Sequence, residues 1–353
     1  MTLDDRKLHI LKAIINDYID TAEPIGSRTI ARKHELGLSS ATIRNEMADL
    51  EEMGYLEQPH TSAGRVPSDK GYRIYVDKLL DFPELNIEEI LEVTRALDVK
   101  INELGQLIRK AATIMSKVTK YTSVAITPEM DQSTLKAVQV VPIEKGKALI
   151  VVVTNTGVVK NTMIKINEQI TPDAVIRVST IVNEKLSGLT VDRINLPIIR
   201  ELETLIGMSK EIVLPILNGI ADCIGQIDKS EIYLDGMNNI LNYPEFRDIT
   251  KAKEFLDVLE EKDLIHKLVK NAAFKDNSTE MSIQIGREND LPEINCCTLL
   301  TTTYSVGDKI IGSIGVIGPT RMEYSRVIAS MNFIKKQMNE EIYKLIDENL
   351  NGS

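Results

Sequence analysis

Tryptophan is absent from this chain, and aromatic residues make up only 4% of it. Its cores must therefore be filled mainly by Ile, Leu, Val and Met, within a hydrophobic fraction of 43%. Cysteine is nearly absent as well: Cys223, Cys296 and Cys297 are the only three. An odd count without regular spacing excludes the disulfide framework of a small secreted domain. The four histidines and three cysteines show no Cys-x-x-Cys or His-x-x-x-His spacing, so neither a metal site nor a cofactor is expected. No apolar run reaches the roughly 18 residues of a membrane span. Met1-Thr2-Leu3-Asp4-Asp5 lacks the basic-then-apolar order of a signal peptide, and a cytoplasmic protein is expected. Positive charge is not in excess either: 42 Lys+Arg face 52 Asp+Glu, a net of −10. That excludes a general nucleic-acid coat with a basic surface. It leaves sequence-specific binding through a local basic patch open.

What is present is a chain of 353 residues, long enough for two or three domains. Leu8, Leu11, Ile15, Tyr18 and Ile19 recur at helical spacing and predict a first helix over 3–19. Glu23-Pro24-Ile25-Gly26 breaks it, and Ser27 is placed to cap a short second helix that Gly37 ends. Ser39 or Ser40 starts a third helix running to about Met53 and stopping at Gly54. Short strands are expected over 55–58 and 65–67, with a turn-rich tip between them. Ser68 then caps a fourth helix with Tyr72, Tyr75, Val76 and Leu79 on one face. Residues 86–120 read as helical. Strands follow over 121–127, 135–142, 147–154 and 157–166, with turns at Glu144-Lys145-Gly146 and Asn155-Thr156-Gly157. Residues 172–228 are mostly helical. A strand near 231–234, helices to about 273, strands at 281–286, 297–304 and 309–317, and one long helix over 321–349 complete the chain. A helical block between two β-rich blocks points to an insertion into an α+β domain.

The first three helices have the lengths and short turns of a helix-turn-helix. On the third, Ile43, Met47 and Leu50 share the side that packs inward. The opposite side carries Ala41, Arg44, Asn45 and Ala48, flanked by Thr42. Two alanines keep that face narrow, so the backbone can approach base edges. Arg44 can pair with guanine and Asn45 with adenine, each through two hydrogen bonds. Ser39, Ser40 and Thr42, with the helix N-terminus, can hold phosphates. Arg and Asn also decorate ordinary solvated helices, so the face alone leaves both readings open. The hairpin His60-Thr61-Ser62-Ala63-Gly64-Arg65 adds weight to DNA: a small polar wing tipped by Arg65 can follow the backbone or enter the minor groove. Residues 1–80 hold 11 Lys+Arg and 13 Asp+Glu, a net of −2. Arg28, Arg32, Lys33, Arg44, Arg65, Lys70 and Arg73 can gather on the DNA side. Such weak net charge predicts modest affinity for a single head and a need for two.

Other constellations carry less. Cys296-Cys297 read as packing residues of a strand. The run Gly312, Gly315, Gly318-Pro319 lacks the Lys-Ser/Thr of a P-loop and reads as tight strand packing. Val327, Met331, Ile334, Met338, Ile342 and Leu345 form a stripe suited to a core or a dimer seam. A small-molecule-sensing regulator or an enzyme with an accessory head is the competing class, and no catalytic or nucleotide-binding constellation supports it.

Glu23-Pro24-Ile25-Gly26-Ser27, Ser39-Ser40-Ala41-Thr42-Ile43-Arg44-Asn45-Glu46-Met47 and His60-Thr61-Ser62-Ala63-Gly64-Arg65-Val66-Pro67 resemble the bacterial heat-inducible transcription repressor family HrcA. Asp69-Lys70-Gly71-Tyr72-Arg73, Leu234-Asp235-Gly236, Tyr243-Pro244-Glu245-Phe246, Ile285-Gly286-Arg287-Glu288-Asn289 and Gly315-Val316-Ile317-Gly318-Pro319-Thr320-Arg321-Met322 continue the likeness through nearly the whole chain. The resemblance implies a multidomain α+β protein. An N-terminal winged helix-turn-helix (1–80) is followed by a linker and connecting helix (81–104), then a GAF-like domain in two parts (105–166 and 231–349). A dimerising insertion (167–230) interrupts the latter, with an alternative start near 130 that takes in the 135–166 strands. It further implies a homodimeric repressor of chaperonin and DnaK-type operons, acting on an inverted-repeat operator. The chaperonin modulates its activity, and heat stress abolishes it. The expected DNA-contacting residues are Arg28, Ser39, Ser40, Ala41, Thr42, Arg44, Asn45 and Arg65.

Overall fold

The computed structural model describes residues 3–60, 63–81, 85, 87–97, 104–127, 134–155, 158–190, 193–194, 196–207, 210–228, 231–274, 281–306 and 309–351. The first helix, α1 (Asp5–Thr21), is capped by Asp4, whose carboxylate accepts the Lys7 N–H. Its buried residues centre on Ile10, Leu11, Ile14 and Ile15. Leu8, Tyr18 and Ile19 of the expected stripe are half-buried, because α1 is enclosed by α3 on one side and by α4 on the other. Helix α2 (Ser27–Lys33) has Gly26, not Ser27, at its N-cap position, and no side chain caps it. Helix α3 (Ser40–Glu52) is capped by Ser39, and α4 (Asp69–Lys78) by Ser68. Between them β1 (Leu56–Glu57) pairs antiparallel with β2 (Val66–Pro67). Thr61 and Ser62 of the hairpin tip lie outside the described residues.

Two helices, α5 (Ile87–Leu97) and α6 (Leu104–Thr119), lead into β3 (Thr122–Ile126). The next strands, β4 (Leu135–Glu144), β5 (Lys147–Thr154) and β6 (Val159–Lys165), form an antiparallel sheet of their own. Gly146 makes the β4–β5 turn with φ +81°, a conformation that only glycine adopts without strain. Thr156 and Gly157 of the next expected turn are outside the described residues. Helices α7 (Pro172–Leu186), α8 (Leu196–Ile206) and α9 (Lys210–Asp228) follow. Val138, Ile150 and Val152 of this sheet share one apolar cluster with Val178, Leu202 and Ile216 of these helices.

The chain then rejoins β3. Strand β7 (Ile232–Asp235) pairs with it, and Thr127 and Glu231 bond to each other where the chain leaves and re-enters the sheet. Helices α10 (Ile249–Glu260) and α11 (Lys262–Phe274) precede β8 (Met281–Ile285), β9 (Cys297–Val306) and β10 (Lys309–Pro319), and α12 (Tyr324–Asn351) ends the fold. The five-stranded order is β7-β3-β10-β9-β8. One face of this sheet packs on α10 and α11. The other packs on α6 and α12 in a cluster continuous with the core of the N-terminal helices. Val327, Met331, Ile334, Met338 and Ile342 are buried there; the Leu345 side chain lies outside the described residues. The 135–165 strands, which a boundary at 166 assigns to the first part of the body, thus belong with α7–α9. The cause is strand pairing: β3 finds its hydrogen-bond partners in β7 and β10, more than 100 residues on, and not in β4.

Candidate nucleic-acid interface

Helix α3 is the centre of this surface. The Ser39 hydroxyl accepts the Thr42 N–H at 3.1 Å and meets the Thr42 hydroxyl at 2.9 Å. Both hydroxyls are therefore engaged in the cap. By helix geometry the Ser40 and Ala41 N–H groups have no intrahelical acceptor, and they open the positive end of the helix dipole outward. Ile43, Met47 and Leu50 are buried, whereas Ala41, Arg44, Asn45 and Ala48 are exposed. Arg28, in the first turn of α2, is exposed too. Among the described residues, Arg28, Arg44 and Asn45 have neither a hydrogen-bond nor an ion-pair partner. Their side-chain donors remain available to an external acceptor.

Acidic residues border this face, and the fold neutralises them. Lys7 of α1 is buried between Glu46 (2.7 Å) and Asp49 (3.1 Å) of α3, and Arg6 approaches Glu46 at 3.5 Å. Hydrogen bonds that Lys7 donates to these two carboxylates hold its pKa above the ordinary value. The pairs fix α3 against α1 and remove two negative charges from beside the exposed face. Sequence periodicity misses them, because Lys7 and Glu46 are 39 positions apart.

The hairpin is anchored twice. Ile25 and Arg65 exchange backbone hydrogen bonds of 2.9 Å, which adds a third strand segment to β1 and β2. A side chain at Gly64 would put its Cβ 2.4 Å from the Ile25 carbonyl oxygen, so only glycine passes there. The Arg65 guanidinium is not free: its Nε and Nη2 bond Glu51 Oε2 at 2.8 and 2.7 Å, leaving the side chain 20% exposed. Glu51 thus ties the hairpin base to α3.

Several family-like motifs that the sequence alone leaves without a role meet at a second place. Asp69 of α4 accepts the Arg287 N–H at 3.0 Å, beside Gly286. Arg73 donates to the Ile283 carbonyl at 2.6 Å and forms an ion pair with Glu288. Tyr72 and Tyr75 pack against Tyr324. Arg321 donates to the Ile19 carbonyl at the end of α1 at 2.8 Å while pairing with Glu245. Segments 69–73, 243–246, 285–289 and 318–324 thus clasp the N-terminal helices onto the five-stranded body.

Known proteins bear on this arrangement. The model of the HrcA protein C terminal domain matches residues 105–328. The heat-inducible transcription repressor HrcA of Acetivibrio thermocellus is 59% identical over 352 residues, covering 100% of both chains. The chain belongs to the HrcA family. The HrcA of Ruminiclostridium cellulolyticum is 56% identical, covering 98% of this chain and 99% of that one. The HrcA of Clostridium perfringens strain 13 is 42% identical over 96% and 99%. HrcA proteins are heat-inducible transcription repressors, not enzymes, and repression of transcription implies DNA binding. A crystal structure of a hypothetical protein, 23% identical, shares the fold with a TM-score of 0.67 over 98% of this chain and 100% of that one. Among the described residues no helix of this HrcA chain is long and apolar enough to cross a membrane.

Proposed function

We propose that the chain represses chaperonin and DnaK-type operons by binding an inverted-repeat operator as a homodimer, and that heat stress abolishes the binding. The observation that carries this reading is the exposed Ala41, Arg44, Asn45, Ala48 face, opposite a buried Ile43, Met47, Leu50 face. With the β1–β2 hairpin beside it, α1–α4 act as a winged helix-turn-helix. Arg44 and Asn45 read base edges. Arg28, Ser40, Ala41 and the helix N-terminus take phosphates. Ser39 and Thr42 shape that N-terminus, and Arg65 reaches the DNA backbone once it exchanges Glu51 for phosphate.

The five-stranded unit acts as a GAF-like body, and residues 134–228 as the dimerising insertion. Exposed apolar side chains on that insertion support a self-complementary seam: Met163 (54%), Ile176 (52%) and Leu205 (54%). A two-fold dimer presents two heads related by symmetry, so its operator is an inverted repeat. Chaperonin assistance, which the family resemblance implies, agrees with the topology. A sheet whose neighbouring strands β3 and β10 are nearly 200 residues apart forms late, and it leaves apolar surface exposed meanwhile. Gel-shift titration with the inverted repeat upstream of the host's chaperonin operon tests the reading. A salt-sensitive shift that disappears when one half-site is scrambled is expected. No palindrome-dependent shift, with chaperonin present, overturns it.

A further inference from the structure

Cys296 and Cys297 are the chain's only adjacent thiols, and DNA reading does not use them. They were expected to be packing residues of a strand. Only Cys297 is one: it is buried as the first residue of β9, while Cys296 is half-buried in the preceding turn. Their sulfurs stand 3.9 Å apart.

Geometry selects what this pair can do. The peptide joining them is trans, which sets their Cα atoms about 3.8 Å apart. Disulfides ordinarily need at least roughly 4.4 Å, so the backbone resists direct oxidation and keeps two thiols. A closed zinc site needs four ligands, and among the described residues no group of three or more His, Cys, Asp or Glu could hold a metal ion. What fits is a soft centre that takes two sulfurs from the protein and brings its remaining substituent itself. Two sulfurs bonded at about 2.3 Å to one atom stand roughly 3.3–3.8 Å apart, between a right angle and a tetrahedral one. The observed 3.9 Å lies about 0.1 Å beyond the upper end of that span and about 0.6 Å beyond the lower.

The pair is also wired to the clasp. The Cys296 carbonyl accepts the Thr320 N–H at 3.2 Å, next to Arg321, which holds the end of α1. The Cys297 carbonyl accepts Asn289 Nδ2 at 2.9 Å, next to Glu288, which holds Arg73. Cys297 sits in the closed apolar cluster under α10 and α11, so added bulk there displaces both carbonyls.

We propose that Cys296–Cys297 is a dithiol site that captures a trivalent arsenical, and that capture loosens the clasp between the N-terminal helices and the body. The reaction with an arylarsine oxide is a condensation without change of oxidation state. The two S–H bonds and the As–O linkage break, two As–S bonds form, and the oxygen leaves with both protons as water. Cys296 attacks first, being the more accessible. A hydrogen bond from the Cys297 thiol lowers its pKa to about 7, so thiolate is present at neutral pH.

The test uses full-length protein with one equivalent of phenylarsine oxide and excess monothiol, read by intact mass and by hydrogen exchange. Wild type and Cys223→Ser should each gain one phenylarsenic group less two hydrogens, and C296S and C297A none. Exchange across 69–75 should quicken at least threefold in the adduct. C296S changes a half-exposed turn residue and should melt as wild type does, so the test stands if C297A fails to fold. No adduct on wild type, or an adduct retained by C296S, overturns the site. An adduct with unchanged exchange across 69–75 overturns the coupling.

Discussion

Replacing Arg44 or Asn45 by alanine should separate recognition from stability. Both side chains are exposed on α3 and lack an intramolecular partner among the described residues. Surface substitutions away from caps and networks change stability by no more than about 0.5 kcal/mol, so the melting curve should match wild type. Loss of a two-bond contact to one base costs about 1–3 kcal/mol. In a two-fold dimer each substitution is present in both heads, so the loss on a full operator is about 2–6 kcal/mol. At 1.4 kcal/mol per decade, the operator Kd should rise by roughly 30-fold to 20,000-fold. Fluorescence anisotropy on operator and scrambled duplexes measures it, with each protein titrated at several salt concentrations. The base-reading variants should converge on the scrambled-duplex affinity and keep the salt slope. Arg65→Ala should weaken both duplexes alike and flatten the slope by roughly 1 per lost phosphate contact. Operator binding at wild-type strength by Arg44→Ala and Asn45→Ala would refute the face assignment. So would a binding loss that comes with a lowered melting temperature.

Three further outcomes follow from other parts of the molecule. Gly286→Ala places a Cβ 2.1 Å from the Asp69 carboxylate at a residue with φ +56°; strain of about 1–3 kcal/mol should unseat α4, seen as faster hydrogen exchange over 69–75. Leu205→Glu puts a charge on the exposed apolar side of the 134–228 unit; sedimentation should show a lighter species and operator affinity should fall, while an unchanged dimer would move the seam elsewhere. Alkylation of Cys296 by iodoacetamide should rise with pH through about 7, where its pKa is held by the Cys297 hydrogen bond; a midpoint at the ordinary thiol value of about 8.5 would remove that bond from the account.

Much of the N-terminal surface was legible because it rests on local rules. The 100° repeat separates Ile43, Met47 and Leu50 from Arg44 and Asn45. Caps at Ser39 and Ser68 and the Gly146 turn are read from single residues and their neighbours. Ser27 failed as a cap because Gly26 already supplies the extended cap backbone. Charge pairs leave no periodic trace: Lys7 with Glu46, Glu51 with Arg65, and Arg73 with Glu288 join residues 14 to 215 positions apart. The boundary around β4–β6 stayed open between 167 and about 130 for a related reason. Three good strands after β3 read as its continuation, and only pairing with β7 and β10 shows that the chain has left that sheet.

The central claim is that two copies of the α3 outer face read two related half-sites. A hydroxyl-radical footprint across the promoter of the host's chaperonin operon tests it most directly. The account predicts two equal protected tracts, mirrored about the centre of the inverted repeat and roughly one or two helical turns apart, both lost with Asn45→Ala. A single unpaired tract, or symmetric protection that persists in Asn45→Ala, would contradict it.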